Sequence, residues 1–139
     1  MSKMIYLDMD GTIADLYGVD NWLEMIVNGD PKPYKIAKRI VNENVLLKLE
    51  KAGYTLGIVS WLAKGSTKEY DKAVRKAKRE WLELNFSKVN FTEVHIVKYG
   101  TPKFKVVKDI NGILVDDEDR NLQEWKGLAI HASELANIV

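Results

Sequence analysis

At 139 residues, 46% of them hydrophobic, the chain is long enough for one domain that buries roughly two-thirds of its unfolded surface. Charge is nearly balanced, 21 basic residues against 20 acidic, which excludes a global basic field of the kind that drives unspecific nucleic-acid binding. Cysteine is absent, which excludes disulfides and thiolate metal sites. No apolar run is long enough to cross a bilayer, so a soluble, cytoplasmic protein is expected.

In chain order, β-rich runs at Met4–Leu7, Tyr54–Ser60, Val94–Val97, Ile113–Val115 and Leu128–Ile130 predict five strands. They alternate with helical patterns, which predicts an α/β fold: a parallel sheet with helices on both faces, in a single domain over 1–139. The stretch from Ala14 to Arg39 breaks the alternation. It holds a helix-like piece at Asn21–Val27, then Gly29, Asp30, Pro31 and Pro33, with no strand, and reads as a small insertion over about 15–40 that covers the site. Val45, Leu46, Leu49 and Ala52 follow at helical spacing and stop at Gly53. Ser66-Thr67-Lys68-Glu69 is a capping-box pattern, and behind it Tyr70, Ala73, Val74, Ala77, Trp81 and Leu84 form one apolar stripe. The lysines and arginines between them are expected on the solvated face.

Asp8-Met9-Asp10-Gly11-Thr12 closes the first strand with two carboxylates two residues apart. Side chains alternate across a strand, so Asp8 and Asp10 project to one side while Met9 turns into the core. Gly11 and Thr12 then turn the chain and let a ligand approach the backbone. Two such acids resist ionising together unless a cation joins them, which points to a Mg²⁺ site, to a nucleophile beside a general acid, or to both; the bland alternative is a polar turn that caps a helix. Ser60 ends the second strand with a hydroxyl able to donate to a phosphate oxygen. Thr101-Pro102-Lys103 opens a helical segment with a lysine near its start. Val115-Asp116-Asp117 ends a buried strand in acids suited to metal ligation. Ligands of open parallel sheets bind beyond the carboxyl ends of the strands, where Asp8, Ser60 and Asp116 all stand.

This order, Asp-x-Asp-Gly-Thr, then Ser, then Lys, then Asp-Asp, resembles the haloacid dehalogenase-like superfamily of phosphohydrolases across nearly the whole chain. The resemblance implies a Rossmann-like three-layer fold, Mg²⁺ and an aspartyl-phosphate intermediate. Carried onto these residues, it makes Asp8 the nucleophile, Asp10 the general acid/base, Ser60 the phosphate-binding hydroxyl and Lys103 the charge-neutralising lysine, with Lys105 and Lys98 as alternatives. Asp116 and Asp117 become metal carboxylates beside Asp8 and Asp10, and Gly11 and Thr12 join the substrate side. An aspartate at position 10 goes, in that family, with phosphatase chemistry. The short insertion and the Leu-Val-Asp-Asp ending look most like the 5′(3′)-deoxyribonucleotidases and small phage or bacterial relatives, which implies a nucleotide substrate and a helical cap.

Tyr17, Trp22, Tyr34 and Trp61 are candidate stacking surfaces for a base, with Trp61 foremost because it follows Ser60; packing is the alternative for each. His95 and His131 are expected in core or surface roles. The expected activity is that of a Mg²⁺-dependent phosphomonoesterase on a small phosphorylated metabolite. Removal of phosphate from polynucleotide ends is a second reading, and a phospho-accepting receiver-like module a third. The order of acids disfavours the third, since receivers open with their acidic pair and place the phospho-accepting aspartate later.

Overall fold

The structure is a computed structural model and describes residues 3–139. Its centre is strand β1 (Met4–Leu7), buried at every position, as a near-continuous apolar run requires of a strand covered on both faces. Ile5, Leu7 and then Met9 pack into one core cluster, while Met4 and Tyr6 pack into another. This is the two-residue alternation of a strand. After β1 come β2 (Ala14–Asp15), α1 (Trp22–Val27), α2 (Lys32–Ile36), β3 (Lys38–Arg39), α3 (Glu43–Lys51) and β4 (Thr55–Trp61). The chain continues through α4 (Lys68–Asn85), β5 (Phe91–Val97), β6 (Ile113–Asp116), α5 (Asp119–Glu124) and β7 (Ala129–His131).

Five strands form one parallel sheet in the order β5-β4-β1-β6-β7. Successive strands add outward from β1 first on one side and then on the other, so β1 lies at the point where the strand order reverses. The α/β expectation and all five strands are observed, in an arrangement compatible with a Rossmann-like fold. Helices α3 and α4 supply Leu46, Leu49, Trp81 and Leu82 to the cluster around Ile5 and Leu7. Leu122 of α5 and Phe104 pack with Tyr6 on the other side.

Tyr6 shows why two glycines are where they are. Its hydroxyl donates to Glu93 on β5 at 2.7 Å, two strands away, so its ring crosses β4 at Gly57. A Cβ there would stand 3.1 Å from the ring, and one at Gly112 would stand 2.9 Å from it.

Four local expectations change. The stretch after β1 does contain strand: β2 and β3 pair antiparallel and make a neck for the insertion, whose helical pieces are α1 and α2. Thr67, not Ser66, caps α4, its hydroxyl accepting from the Tyr70 backbone N–H at 3.1 Å; Ser66 instead bonds the Asp71 carboxylate. Leu84 is 79% exposed; the helix ends one residue later, and Leu82 and Phe86 complete the buried face in its place. The helix expected after Pro102 is a single 3-10 turn, Lys103–Lys105.

Candidate active site

Three neighbouring strands end at one crevice. Asp8 follows β1, and Asp116 is the last residue of β6, the strand beside it. Asp10 and Asp117 follow within two residues. Asp8, Asp10, Lys103 and Asp117 line a cavity of about 600 Å³ together with much of the insertion. Gly11 takes φ +82°, a left-handed conformation that glycine adopts without penalty, and a Cβ there would collide with the Asp117 carboxylate. Thr12 is fully buried, and its hydroxyl lies 3.4 Å from Asp8 Oδ2.

Lys103 is the lysine that reaches the acids. Its Nζ donates to Asp8 Oδ1 at 2.9 Å and to Asp116 Oδ2 at 2.6 Å, and the residue is 3% exposed. Lys105 and Lys98 are exposed. Burial opposes the Lys103 charge, but Asp8 and Asp116 outweigh that and hold its pKa above the ordinary value. Asp116 is held further by the Glu118 N–H at 3.0 Å and by Asn121 Nδ2 at 3.1 Å.

Asp8, Asp116 and Asp117 offer oxygens that all lie within 4.8 Å of one another. Burial, the Asp8 charge and a hydrogen bond with Asp8 push the Asp117 carboxyl up to about 8, and burial followed by the Asp8 charge raises Asp116. Asp117 Oδ1 is buried without a hydrogen-bond partner among the described residues. Hard carboxylate oxygens, more negative than positive charge and one orphaned oxygen are what a divalent cation such as Mg²⁺ suits, so the donor set fits the metal the sequence led us to expect. Asp10 was expected among the ligands as well. Its side chain stands outside that trio, and Lys78 Nζ donates to its Oδ2 at 2.8 Å. Burial raises the Asp10 carboxyl, with Lys78 pulling it down and Asp8 pushing it up.

Lys78 escaped the sequence reading, which assigned the basic residues of α4 to solvent. It is 1% exposed, and its ammonium also donates to Ser60 Oγ at 2.7 Å and to the Trp61 carbonyl at 2.9 Å. The signal was present in the spacing. Lys78 lies four residues after Val74 and three before Trp81, on the buried stripe itself. Ser60, expected to face the phosphate, is fully buried on Lys78 and takes no part in the crevice wall. Its hydroxyl is therefore a support for the lysine.

The insertion and the strand ends give the crevice an apolar, aromatic wall, including Leu16, Trp22, Ile26, Tyr34 and Leu62. Trp22 packs its ring against Tyr17 at 4.9 Å, and both line the cavity. Tyr34 is 6% exposed, and Lys78 Nζ lies 5.1 Å from its ring centre. Trp61 also lines the cavity, but its surfaces are already engaged. Its indole N–H donates to the Thr101 carbonyl at 2.8 Å, Tyr99 packs on it at 4.9 Å, and Lys103 and Arg120 lie 5.7 and 5.6 Å from its ring centre. It ties the loop that carries Lys103 to β4, which makes Trp22 the better placed of the two tryptophans to meet a ligand.

His95 pairs with Glu93 at 2.8 Å and His131 caps the C-terminal 3-10 turn, both away from the crevice. Among the described residues no helix is long and apolar enough to cross a membrane. No protein-family model matches this chain, and no curated protein matches it either.

Proposed function

We propose that this protein is a Mg²⁺-dependent phosphomonoesterase of haloacid dehalogenase type, in which Asp8 takes the phosphoryl group and the insertion acts as a small cap. The observation that carries the reading is the pairing of Lys103 with Asp8 and Asp116 beside an Asp117 oxygen that has no partner. Phosphoryl transfer asks for little else than a positioned nucleophile and counter-charge for the phosphoryl oxygens.

A divalent cation held by Asp8, Asp116 and Asp117 would neutralise phosphoryl oxygens and keep those carboxylates ionised. Lys103 adds a second positive charge and fixes the Asp8 carboxylate through Oδ1. Asp8 Oδ2, 3.4 Å from the Thr12 hydroxyl, is the oxygen left to attack phosphorus. Asp10 protonates the departing oxygen and then takes a proton from the water that hydrolyses the aspartyl phosphate. Its raised pKa favours the protonated form that the first step needs.

The crevice argues for the substrate class. About 600 Å³ of mostly apolar, aromatic space fits a small monoester with a flat leaving group, such as a nucleoside monophosphate, and leaves little room for a duplex end. The test is phosphate release from a panel of nucleoside monophosphates, sugar phosphates and an aryl phosphate, with Mg²⁺ and with EDTA. Mg²⁺-dependent release that is fastest on nucleotides supports the reading. Full activity in EDTA, or in Asp8→Asn, overturns it.

A further inference from the structure

We infer that Lys78 is a positioning residue that fixes which oxygen of Asp10 exchanges protons with the substrate. This rests on the phosphatase reading of the same crevice and adds to it a residue which no part of that reading requires.

An ammonium has three N–H donors. Lys78 spends all three, on Asp10 Oδ2 at 2.8 Å, Ser60 Oγ at 2.7 Å and the Trp61 carbonyl at 2.9 Å. None is left for a phosphate, and at 1% exposure the group sits beneath the crevice rather than in it. Ser60 and Trp61 are consecutive residues at the end of β4, so two of the three bonds anchor the ammonium to the sheet. The third then holds the Asp10 carboxylate, which does line the crevice, in one orientation. With Oδ2 accepting from Lys78, Oδ1 is the oxygen that carries the mobile proton. When the Asp8 oxygen bonds to phosphorus, the bond from phosphorus to the leaving oxygen breaks and its electron pair stays on that oxygen. The proton on Asp10 Oδ1 moves to it, and Lys78 keeps its own three.

Tyr34 extends the arrangement into the insertion. Its ring faces the ammonium at 5.1 Å and seals it from water, which keeps the ion pair in a low-dielectric setting. A lysine placed only to fill space on the α4 stripe would not meet three acceptors from the loop after β1 and the end of β4.

A group that acts through the general acid is exposed by the leaving group it serves. An alkyl phosphate, whose alkoxide is a poor leaving group, depends on proton delivery, whereas an activated aryl phosphate leaves without it. Because kcat/KM reports only steps up to leaving-group departure, the ratio of the two substrates isolates that proton. Lys78→Met should lower kcat/KM for the alkyl ester by roughly 10²-fold more than for the activated aryl ester. In an Asp10→Asn background the same substitution should leave the ratio where Asp10→Asn alone puts it.

Since the chain has no cysteine, Lys78→Cys can be alkylated at that single position with 2-bromoethylamine in denaturant and refolded. The resulting thia-lysine should restore the alkyl ester preferentially, and this arm serves even if Lys78→Met folds poorly. Equal losses on both esters, or a further fall of the ratio in the Asp10→Asn background, would overturn the inference and leave Lys78 as packing. Inactivity of the unsubstituted protein on both esters would instead refute the phosphatase reading beneath it.

Discussion

Asp117→Asn separates a metal site from a mere cluster of acids, because the two accounts give opposite signs for stability. With Asp8, Asp116 and Asp117 within 4.8 Å of one another, each ionised pair costs ~3 kcal/mol at an effective dielectric constant of about 20. Asp117 faces two such partners, both of them already paired with Lys103, so an ionised Asp117 destabilises the metal-free fold by on the order of 3 kcal/mol. The carboxyl is pushed up to about 8, above its unfolded value, so its protonated form stabilises the fold at low pH. That contribution is lost as pH rises from the ordinary carboxylate range through about 8.

Asparagine mimics the neutral form. In EDTA above about pH 8, the variant should therefore melt at or above the temperature of the unsubstituted protein. Mg²⁺ reverses the ranking. At 100 times its dissociation constant it contributes ~2.7 kcal/mol, or roughly 10 °C for a domain of this size, to the unsubstituted protein and little to the variant. Thermal denaturation across a Mg²⁺ titration reads both halves. A variant several degrees less stable in EDTA, or one that keeps the full Mg²⁺ shift, would refute the assignment of Asp117 as a ligand.

Asp10→Asn should cost 10²–10⁴-fold in turnover of an alkyl phosphate while keeping the Mg²⁺-dependent rise in melting temperature, since its side chain stands outside the carboxylate trio; loss of that rise would put Asp10 back among the ligands. Lys103→Met breaks a buried pair with two carboxylates and should destabilise the metal-free protein by ~3–5 kcal/mol, with Lys105→Ala and Lys98→Ala within ~0.5 kcal/mol of the parent by chemical denaturation. A larger loss in Lys105→Ala than in Lys103→Met would mean that the turn is placed wrongly. Trp22→Ala should raise KM for nucleoside monophosphates by up to ~100-fold, on the order of 1–3 kcal/mol of stacking, and change a small aryl phosphate much less. Equal losses on both would make Trp22 a packing residue.

The parallel sheet was legible because its signal is local and repeated. A buried central strand such as Met4–Leu7 needs no alternation, and Gly53, at φ +99°, marks the end of α3 as its position after the last periodic residue implies. The acids at strand ends were legible for the same reason, since topology alone brings the C-terminal ends of neighbouring parallel strands together. Lys78 was hidden by its type. Composition assigns lysine to solvent, and only the three acceptors that β4 and the Asp10 loop bring to it, all distant in sequence, make its burial tolerable. The bond between Ser60 and this lysine was hidden as a consequence, because the two lie 18 residues apart in sequence. Trp61 followed Ser60 in sequence but had already been engaged by Thr101, Tyr99 and Arg120.

The central claim is that Asp8 carries the phosphoryl group, and an acyl phosphate is reduced by borohydride to leave homoserine in place of aspartate. Asp10→Asn protein, given an activated aryl phosphate with Mg²⁺, should form the intermediate without needing a general acid and hydrolyse it slowly for want of a base. Peptide mass spectrometry after borohydride quenching should then find homoserine at position 8, dependent on both Mg²⁺ and substrate. Homoserine at position 116 or 117 instead, or steady release of phosphate with residue 8 unmodified, would contradict the account.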